Sequence, residues 1–414
     1  MLYIYTQICT FALLIIIIYT NTIILKKRIA IVGGGAAGFF CAIRLKELCP
    51  AAEVTIFERH KQVLRKVAIS GGGRCNCTNT FNAVKDLSNA YPRGATLLKR
   101  LFKQFSPHDA FQWFEAHGVP LVIQPDECVF PQAQDSKAII DCFLRETRKH
   151  GISIIQERHI DTPSDLLSEY TDVVVTVGGL QHSRLNLTEE PTPCVPSLFT
   201  FNIADPALHE LMGIVVENTI ASIPGTKLKA TGALLLTHWG MSGPAILKLS
   251  SYAAPHLAEH NYQAPLSVNW TGETNTETIR NHITHIFQSH SPHKLIDNVH
   301  PYNINARLWS YLLQKIDLAG KPIGDIGKKG TNKLIETLSN DKYLIASRSH
   351  YKDEFVTCGG IPLSSINKHT LESLTTPHLY FAGEVLDIDG ITGGFNFQAA
   401  WTTADAVARA ISKE

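Results

Sequence analysis

The chain has 414 residues, enough for two or three domains, and its 44% hydrophobic and 18% charged residues exclude a mostly disordered protein. Its 38 basic and 37 acidic residues give a net charge of +1. No cationic excess is left to neutralise a phosphate backbone, so nucleic-acid binding is not expected.

The first 26 residues differ from the rest of the chain. Residues 8–25 are largely apolar, and no charged residue precedes Lys26. Their length barely suffices to span a bilayer, and the basic residues 26–28 directly after them would hold the downstream chain in the cytosol. A buried strand is predicted to begin at residue 29, which leaves almost no linker. Residues 1–26 are thus either a membrane anchor, and then the sole membrane contact, or a loosely attached extension.

The strongest local signal is the apolar strand 29–32, followed by Gly-Gly-Gly-Ala-Ala-Gly at 33–38 and a helix. Such a glycine turn lets the backbone approach a diphosphate at the helix N-terminus. A second strand, 54–57, ends at Glu58, which suits ribose hydroxyls and favours FAD or NAD over NADP. The residues predicted to bind the adenosine end of a dinucleotide are Gly33, Gly35, Ala37, Gly38, Glu58 and Arg59.

A second glycine-rich loop, residues 70–79, carries Arg74 and Asn76 among several hydroxyl groups. Its backbone N–H groups and the planar Arg74 guanidinium suit an anionic or carbonyl-rich ligand. Cys75 and Cys77 are only two residues apart, and a redox disulfide between them is not expected.

Between residues 94 and 177 helices alternate with short strands. Ser106 and Pro107 predict one helix start, and Asp135 or Ser136 caps another helix. The apolar run 173–177, followed by two glycines, predicts a buried strand whose end faces a ligand in an open parallel sheet.

From residue 197 to 349 the pattern changes to alternating segments and then to three helices between 276 and 340. This predicts an inserted, barrel-like antiparallel unit with a helical part. Ser242 is one residue short of a GxSxG elbow, so a helix start explains it better than a nucleophile does. The lysine-rich segment 320–333 does not match a phosphate-binding loop and is predicted to be a mobile loop.

The end of the chain returns to the nucleotide-binding pattern. Residues 357–362 are predicted to form a turn, and residues 379–382 form a strand that ends in Gly383 and Glu384, a carboxylate suited to ribityl hydroxyls. Residues 393–395 then open a helix whose N-terminus would stabilise negative charge on a reduced flavin. A nicotinamide dehydrogenase does not need this second half-site, so FAD is predicted rather than NAD.

The nine cysteines are scattered and odd in number, and no CxxC pair occurs. This pattern is typical of reduced thiols in a cytosolic protein. The histidines of residues 282–293 are irregularly spaced and lack carboxylates, which indicates a helix face rather than a ligand set. The sequence therefore predicts no bound metal and a cytoplasmic protein body. It does not indicate the oligomeric state.

Four blocks of the chain resemble one known family. They are VGGGAAG at 32–38, KVAISGGGRCNCTN at 66–79, THWGMSGPAILKLS at 237–250 and residues 357–401, especially FAGEVLDIDGITGGFNFQAAW at 381–401. With them the chain resembles the BaiN/RdsA-like, aminoacetone-oxidase-like NAD(P)/FAD-dependent oxidoreductases from residue 27 onward. The resemblance implies an α/β fold, in which a two-part Rossmann-like FAD-binding domain of the glutathione-reductase type is interrupted by an inserted β-barrel plus helical domain. The implied boundaries are 1–26 for the extension, 27–196 and 350–414 for the FAD-binding domain, and 197–349 for the insert.

The resemblance also implies roles for single residues. Gly33, Gly35, Gly38 and Glu58 would hold the adenosine diphosphate half, with Arg74 and Asn76 along the cofactor. The residues implied near the ribityl chain and the flavin are Gly383, Glu384, Asp389, Gly393, Gly394 and Phe395. The segments 158–172 and 180–196 are shorter than is usual in this family, which predicts a trimmed flavin domain.

The expected function is hydride transfer through flavin N5 on an unidentified small-molecule substrate, with NAD(P)H as a transient electron donor. The reaction would be reduction of an activated C=C bond or oxidation of a small amine or alcohol. His238 is the candidate proton donor, and a histidine without chemical function is the competing interpretation. Two other functions stay open, an FAD-retaining binding or sensor protein and an NAD-dependent Rossmann dehydrogenase.

Overall fold

The structure is a computed structural model that describes residues 27–182, 185–348 and 356–413. The predicted anchor within residues 1–26 lies outside this part of the chain. Among the helices that are described, none is both long and apolar enough to cross a bilayer.

A five-stranded parallel sheet forms the centre of the first unit. Its strands are β1 (Arg28–Val32), β2 (Glu53–Phe57), β6 (Ser153–Ile155), β7 (Asp172–Val175) and β16 (Leu379–Phe381). They lie in the order β6-β2-β1-β7-β16, and all neighbours are parallel. β16 pairs with β7 with Leu379 opposite Val173, so a strand near the C-terminus joins the sheet that the first described strand begins. This confirms the predicted two-part Rossmann-like domain.

Helices and a small antiparallel sheet complete this unit. The helices are α1 (Ala36–Leu48), α2 (Arg65–Gly73), α3 (Ala95–Leu101), α4 (Pro107–Ala116), α5 (Lys137–Lys149) and α12 (Phe395–Lys413). The small sheet has the order β3-β5-β4, from β3 (Thr78–Asn79), β4 (Leu121–Ile123) and β5 (Cys128–Pro131). α1 packs against α12, and the rings of Phe40 and Trp401 lie 5.3 Å apart between them. The two parts of the domain therefore share one core.

The insert is a closed six-stranded barrel, as predicted, with helices attached. Its strands are β9 (Phe201–Ile203), β10 (Val215–Ser222), β11 (Lys229–Thr237), β12 (Gly240–Ser242), β13 (Ala264–Asn269) and β14 (Asp341–Arg348), and they close in the order β10-β11-β12-β9-β14-β13. Its helices are α6 (Pro206–His209), α7 (Pro244–Tyr252), α8 (Ala254–Glu259), α9 (Thr276–Gln288), α10 (Ala306–Lys315) and α11 (Gly327–Asn340). Strands β8 (Thr192–Ser197) and β15 (Val356–Gly360), which precede and follow the barrel in the sequence, pair with each other as a two-stranded antiparallel ribbon. The barrel has its own buried core, separate from that of the FAD-binding domain.

The structure corrects three local predictions. Residues 357–362 were expected to form a turn, but strand β15 pairs there with β8. The lysine-rich segment 320–333 is not a loop throughout, because α11 begins at Gly327. Strand β14, which closes the barrel, was not predicted, because its residues 341–348 follow a helix without a glycine or proline between them. For the two strands, partners more than 50 residues away supply the pairing, and local patterns do not show them.

Two residues of the FAD-binding domain hold the insert against it. Arg93 forms an ion pair with Asp389 of the C-terminal part, and its Nη2 donates to the carbonyl of Ser251 on α7 at 2.8 Å. Tyr252, the next residue on α7, donates its hydroxyl to the carbonyl of Asn89 at 2.8 Å. The C-terminal turn of α7 is thereby fixed on the FAD-binding domain.

A charged network on the helices of the FAD-binding domain predicts a pH-dependent stability. Burial would raise the pKa of Glu47, but hydrogen bonds from His117 and Arg44 outweigh it and lower the pKa from 4.5 to about 2. Burial tends to lower the pKa of His117, but the bond to Glu47 raises it above 6.5. The contribution of Glu47 to the free energy of unfolding is present above about pH 4.5 and is lost as the pH falls toward 2. The contribution of His117 is present below pH 6.5 and is lost as the pH rises.

We therefore expect Glu47→Gln to reduce the free energy of unfolding most near about pH 5.5, where both contributions are present. The fall in the Glu47 pKa from 4.5 to about 2 corresponds to about 3 kcal/mol as an upper bound. Urea unfolding of both proteins at acidic, mildly acidic and alkaline pH measures this. His117→Gln is the control, because it should remove the dependence on the alkaline side while Arg44 keeps part of the acid-side dependence of Glu47. A difference between wild type and Glu47→Gln that does not vary with pH would contradict the assignment.

Candidate functional site

The strand order places the site at the carboxyl edge of the parallel sheet. In the order β6-β2-β1-β7-β16, the strands that follow β1 in the sequence are first added on one side of it and then on the other. The strand order therefore reverses between β1 and β7. At such a reversal the loops after the strands separate and leave a crevice, where dinucleotides bind in open α/β sheets. The predicted residues after β1, β2, β7 and β16 all meet at this edge.

The turn after β1 can be formed only by glycine at two positions. Gly33 has a φ of +118°, and a Cβ there would lie 2.5 Å from the carbonyl oxygen of Thr176 beyond β7. A Cβ on Gly38 would lie 2.0 Å from the carbonyl oxygen of Gly33, so helix α1 packs directly on the turn. Ala37 and Gly383 are similarly close, since a Cβ on Gly383 would lie 2.7 Å from that of Ala37. The two halves of the domain approach each other here.

Gly35 differs from these glycines because the space that a Cβ would occupy there is empty. A Cβ there would have no described atom within 4 Å, and its φ of −96° is ordinary for any residue. Gly35 is the N-cap of α1, and no described side chain caps that helix. The free N–H groups and the positive end of the helix dipole therefore face open space, as a diphosphate requires.

Glu58 stands at the end of β2, beside the same turn. Its Oε2 accepts the N–H of Gly34 at 2.9 Å, and its Oε1 accepts the N–H of His60 at 2.8 Å. These bonds hold the carboxylate in place and leave lone pairs for two further donors, such as ribose hydroxyls. Arg59 is exposed and its Nε donates to Nε2 of His60 at 3.1 Å, so its side chain lies on the surface.

We expect Glu58→Ala to weaken FAD binding by about 10- to 100-fold, the worth of one or two hydrogen bonds to a charged group. Titration of the apoprotein with FAD, followed by quenching of flavin fluorescence, measures the effect. Glu53→Ala, at the opposite end of the same strand, is the matched control and should bind FAD as the wild type does. Equal affinity in both variants would count against the ribose assignment.

A second cluster lies where β7 and β16 end. Oε2 of Glu384 accepts from Nζ of Lys66 on α2 at 2.9 Å, and Oε1 accepts the N–H of Thr357 at 2.9 Å. A Cβ on Gly179 would lie 2.0 Å from Oγ1 of Thr357, so the chain after β7 passes directly beside this carboxylate. Lys66 and Thr357 were not predicted as site residues, although both lie in or next to the blocks that carry the family resemblance.

The second glycine loop meets the tail of the chain. Asn76, with its side-chain amide oriented to suit its neighbours, accepts the N–H of Gly394 at 3.2 Å and donates to the carbonyl of Thr78. Nδ2 of Asn79 donates to the carbonyl of Gly393 at 3.0 Å. Arg74 lies 4.4 Å above the ring of Phe130 on β5. Two stretches more than 300 residues apart thus close on each other at the start of α12, as the sequence analysis expects.

Two further residues predicted near the flavin, Asp389 and Phe395, contact other residues in the protein interior. The Asp389 side chain is fully buried, and its carboxylate is occupied by Arg93 and by the hydroxyl of Ser197 at 3.1 Å. The structure makes this carboxylate the buried partner of an arginine, and its place near the ribityl chain and the flavin stays a prediction. The ring of Phe395 packs on those of Phe81 and Tyr91, with centroids 5.0 and 5.9 Å away. This ring anchors the start of α12 in the core.

His238 lies at the exposed tip of the hairpin that joins β11 and β12. The contact that the structure gives it is with the ring of Trp239, 4.4 Å away. The structure does not bring it together with the glycine turn or Glu384, and its role as a proton donor stays a prediction. Cys75 and Cys77 are buried free thiols, and burial raises the pKa of Cys75 to about 12 and that of Cys77 still further.

The donor set at this edge fits FAD. The uncapped α1 and the open direction at Gly35 suit a diphosphate, and Glu58 suits a ribose. Two buried acceptors near the ends of β7 and β16, Oε1 of Gln181 and Oδ1 of Asp387, receive a hydrogen bond from no described group. Burial and the neighbouring Asp389 raise the pKa of Asp387. Buried oxygens in need of donors match a ligand rich in hydroxyl groups, such as a ribityl chain.

Fold and site together define a Rossmann-type dinucleotide-binding protein with a second half-site at its C-terminus. The chain belongs to the HI0933-like protein Rossmann domain family, whose model matches residues 27–410. This confirms the resemblance read from the four sequence blocks and makes the protein an FAD-dependent oxidoreductase.

Two curated relatives and one solved structure illustrate the similarity. The chain is 27% identical over 406 residues to the ribosomal RNA dihydrouridine synthase of Haemophilus influenzae, covering 91% of this chain and 96% of that protein. It is 23% identical over 412 residues to the 3-dehydro-bile acid delta(4,6)-reductase of Clostridium scindens, covering 91% and 97%. The open conformation of a flavocytochrome c3 fumarate reductase is similar to it with a TM-score of 0.44 and 14% identity, covering 94% of this chain and 78% of that one.

Proposed function

We propose that this protein reduces an electron-poor carbon–carbon double bond in a small molecule, with NADH or NADPH as the electron donor. The observation that carries the proposal is that the uncapped N-terminus of α1, Glu58 and Glu384 all stand at the carboxyl ends of strands of one parallel sheet. The names of two relatives, a dihydrouridine synthase and a delta(4,6)-reductase, both describe addition of hydrogen to such a bond. Of the two reactions considered from the sequence, reduction is therefore favoured over oxidation of an amine or alcohol.

The residues of this chain divide the work of binding. The N-terminus of α1 and Gly35 hold the diphosphate, and Glu58 orients the adenosine ribose. Glu384, which is fixed by Lys66 and the Thr357 N–H at the end of β16, would bind the hydroxyl groups of the ribityl chain. Asn76 holds the N–H of Gly394 and so sets the position of α12, whose N-terminus favours negative charge nearby. FAD, when bound, supplies hydride transfer at its N5.

Anaerobic reduction tests the proposal. Purified protein containing FAD is mixed with NADH or NADPH, and bleaching of the flavin absorbance is followed. Cyclohexenone, a conjugated enone, is then added to the reduced protein. We expect bleaching by one nicotinamide and return of the colour with the enone.

Each alternative gives a different result in this experiment. A flavin that neither nicotinamide bleaches would favour the binding or sensor protein. Colour that returns with oxygen but not with any unsaturated acceptor would contradict the reductase. Ribosomal RNA, the substrate in the name of one relative, is included as a competing acceptor, and reoxidation by RNA alone would overturn the proposal of a small molecule.

A further inference from the structure

One lysine of the insert lies between the two domains, on the helix that contacts the FAD-binding domain. Lys248, Ser251 and Tyr252 occupy one face of α7, because residues three and four apart on a helix are neighbours. Ser251 and Tyr252 are held by Arg93 and Asn89 of the FAD-binding domain. Lys248, one turn earlier on this face, therefore points toward the same domain.

Strand β5 is the part of the FAD-binding domain that lies near Lys248. Its ammonium is close enough to Cys128, at the start of that strand, for the two groups to affect each other electrostatically. Phe130 is two residues further along β5 and so lies on the same face, about 7 Å away along the strand. Arg74 is stacked on Phe130 at 4.4 Å. Two cations, one from each domain, thus lie near the same strand, and Cys128 is close enough to both to interact with them electrostatically.

Neither cation has a carboxylate partner within the part of the chain that the structure describes. Nζ of Lys248 donates to the Thr231 carbonyl at 3.4 Å. Nε of Arg74 donates to the carbonyl of Gly71 at 3.3 Å, and its Nη1 to Oε1 of Gln134 at 3.3 Å. All three acceptors are neutral and the bonds are long. Burial lowers the pKa of Lys248, which shows that its charge is incompletely solvated. A half-buried cation without a counter-charge gains most from an anionic ligand.

The cation pair adjoins the predicted flavin site. Cys128 interacts with the Asn76 side chain, and Asn76 accepts the N–H of Gly394 where α12 begins. The acidic groups at this end of β5 are Asp126, whose carboxylate accepts the N–H of Cys128 at 3.2 Å, and Glu127, whose Oε2 accepts from Oγ1 of Thr80 at 2.8 Å and from the N–H of Ala83 at 2.9 Å. A substrate lying on the flavin would therefore extend between the domains toward Lys248 and Arg74.

We propose that Lys248 binds an anionic group of the substrate, a carboxylate or a phosphate, at the mouth of the flavin site. This inference rests on the proposed function for the identity of the ligand as substrate. It makes the substrate an acid, whose charge is held by the insert while its reacting part reaches the FAD-binding domain. The insert then has a direct role in substrate choice, with Arg74 as the second cation.

Binding of simple probes to the protein with FAD bound tests the inference. Benzoate, its neutral analogue benzamide and inorganic phosphate are titrated by calorimetry into the wild type, Lys248→Met, Lys248→Arg and Lys229→Met. Lys229 is an exposed lysine on β11 and serves as the matched control. Melting temperature and FAD content show whether each variant is folded.

We expect the wild type to bind benzoate or phosphate at least about tenfold more tightly than benzamide, the worth of a hydrogen bond to a charged group. Lys248→Met should lose this preference, while Lys248→Arg and Lys229→Met should keep it. The stronger of the two anions identifies the group as carboxylate or phosphate. Binding of benzamide as tight as that of both benzoate and phosphate by the wild type, no binding of any probe, or an unchanged preference in Lys248→Met would overturn the inference. Anion preference in a protein whose flavin no nicotinamide bleaches would leave the inference standing and reject the proposed reductase.

Discussion

Gly35→Asp should abolish FAD binding and at the same time slightly stabilise the apoprotein. Position 35 has an ordinary φ of −96° and open space in its Cβ direction, so the folded chain accepts a side chain there. An aspartate at the N-cap of α1 would satisfy its free N–H groups, worth a few tenths of a kcal/mol over glycine. The same carboxylate would face the diphosphate, and two like charges about 4 Å apart repel by about 4 kcal/mol near a protein surface. FAD affinity should fall by roughly 1000-fold.

Fluorescence titration with FAD and thermal unfolding of the apoprotein measure the two effects separately. Gly35→Asn is the matched control, because it has nearly the same shape without the charge and should lose less affinity. Gly38→Ala is the contrasting variant, since its Cβ would lie 2.0 Å from the Gly33 carbonyl oxygen and should reduce both stability and binding. FAD bound by Gly35→Asp with wild-type affinity would show that the diphosphate does not lie at α1.

Asp389→Asn should destabilise the protein by about 3 to 5 kcal/mol. The Asp389 side chain is fully buried and that of Arg93 is 19% exposed, so the substitution leaves a nearly buried guanidinium without its counter-charge. The melting temperature should fall by roughly 10 °C. Because Arg93 also holds the Ser251 carbonyl of α7, the insert should become more accessible to limited proteolysis before the rest of the chain unfolds.

The double variant Arg93→Met with Asp389→Leu distinguishes a lost ion pair from a general loss of packing. It removes both charges, and a buried pair replaced by apolar side chains is often neutral in stability. We expect the double variant to be more stable than Asp389→Asn alone. If the two variants are equally destabilised, the ion pair is not the reason for the loss.

Much of the flavin site could be predicted from local patterns. The strand, glycine turn and helix at residues 28–48 follow from backbone geometry over a few residues, and so does the position of Glu58 at the end of β2. The return of the tail to the same sheet was also predicted, because the strand and glycine pattern of β16 and α12 repeats that of β1 and α1. Family membership confirms the class of fold, whereas the residues that would bind FAD stay predictions.

The role of Asp389 could not be predicted in the same way. Its position in a glycine-rich, acidic block suggests a ligand-binding carboxylate, but the structure buries it against an arginine almost 300 residues earlier in the chain. A short sequence window shows that a carboxylate is present and not what surrounds it. Strand β15 is a similar case, because its two glycines indicate a turn until β8 is placed beside it.

The amino-acid sequence by itself determined the class of fold and predicted FAD and the glycines that would receive it, because those depend on spacing along a short piece of backbone. Only the tertiary structure decided that Lys66 and Thr357 hold Glu384, that Arg93 joins the insert to the tail, and that Arg74 stacks on Phe130 of β5. The physical reason is that side-chain contacts depend on how helices and sheets pack, and packing joins residues whose separation in the chain carries no signal.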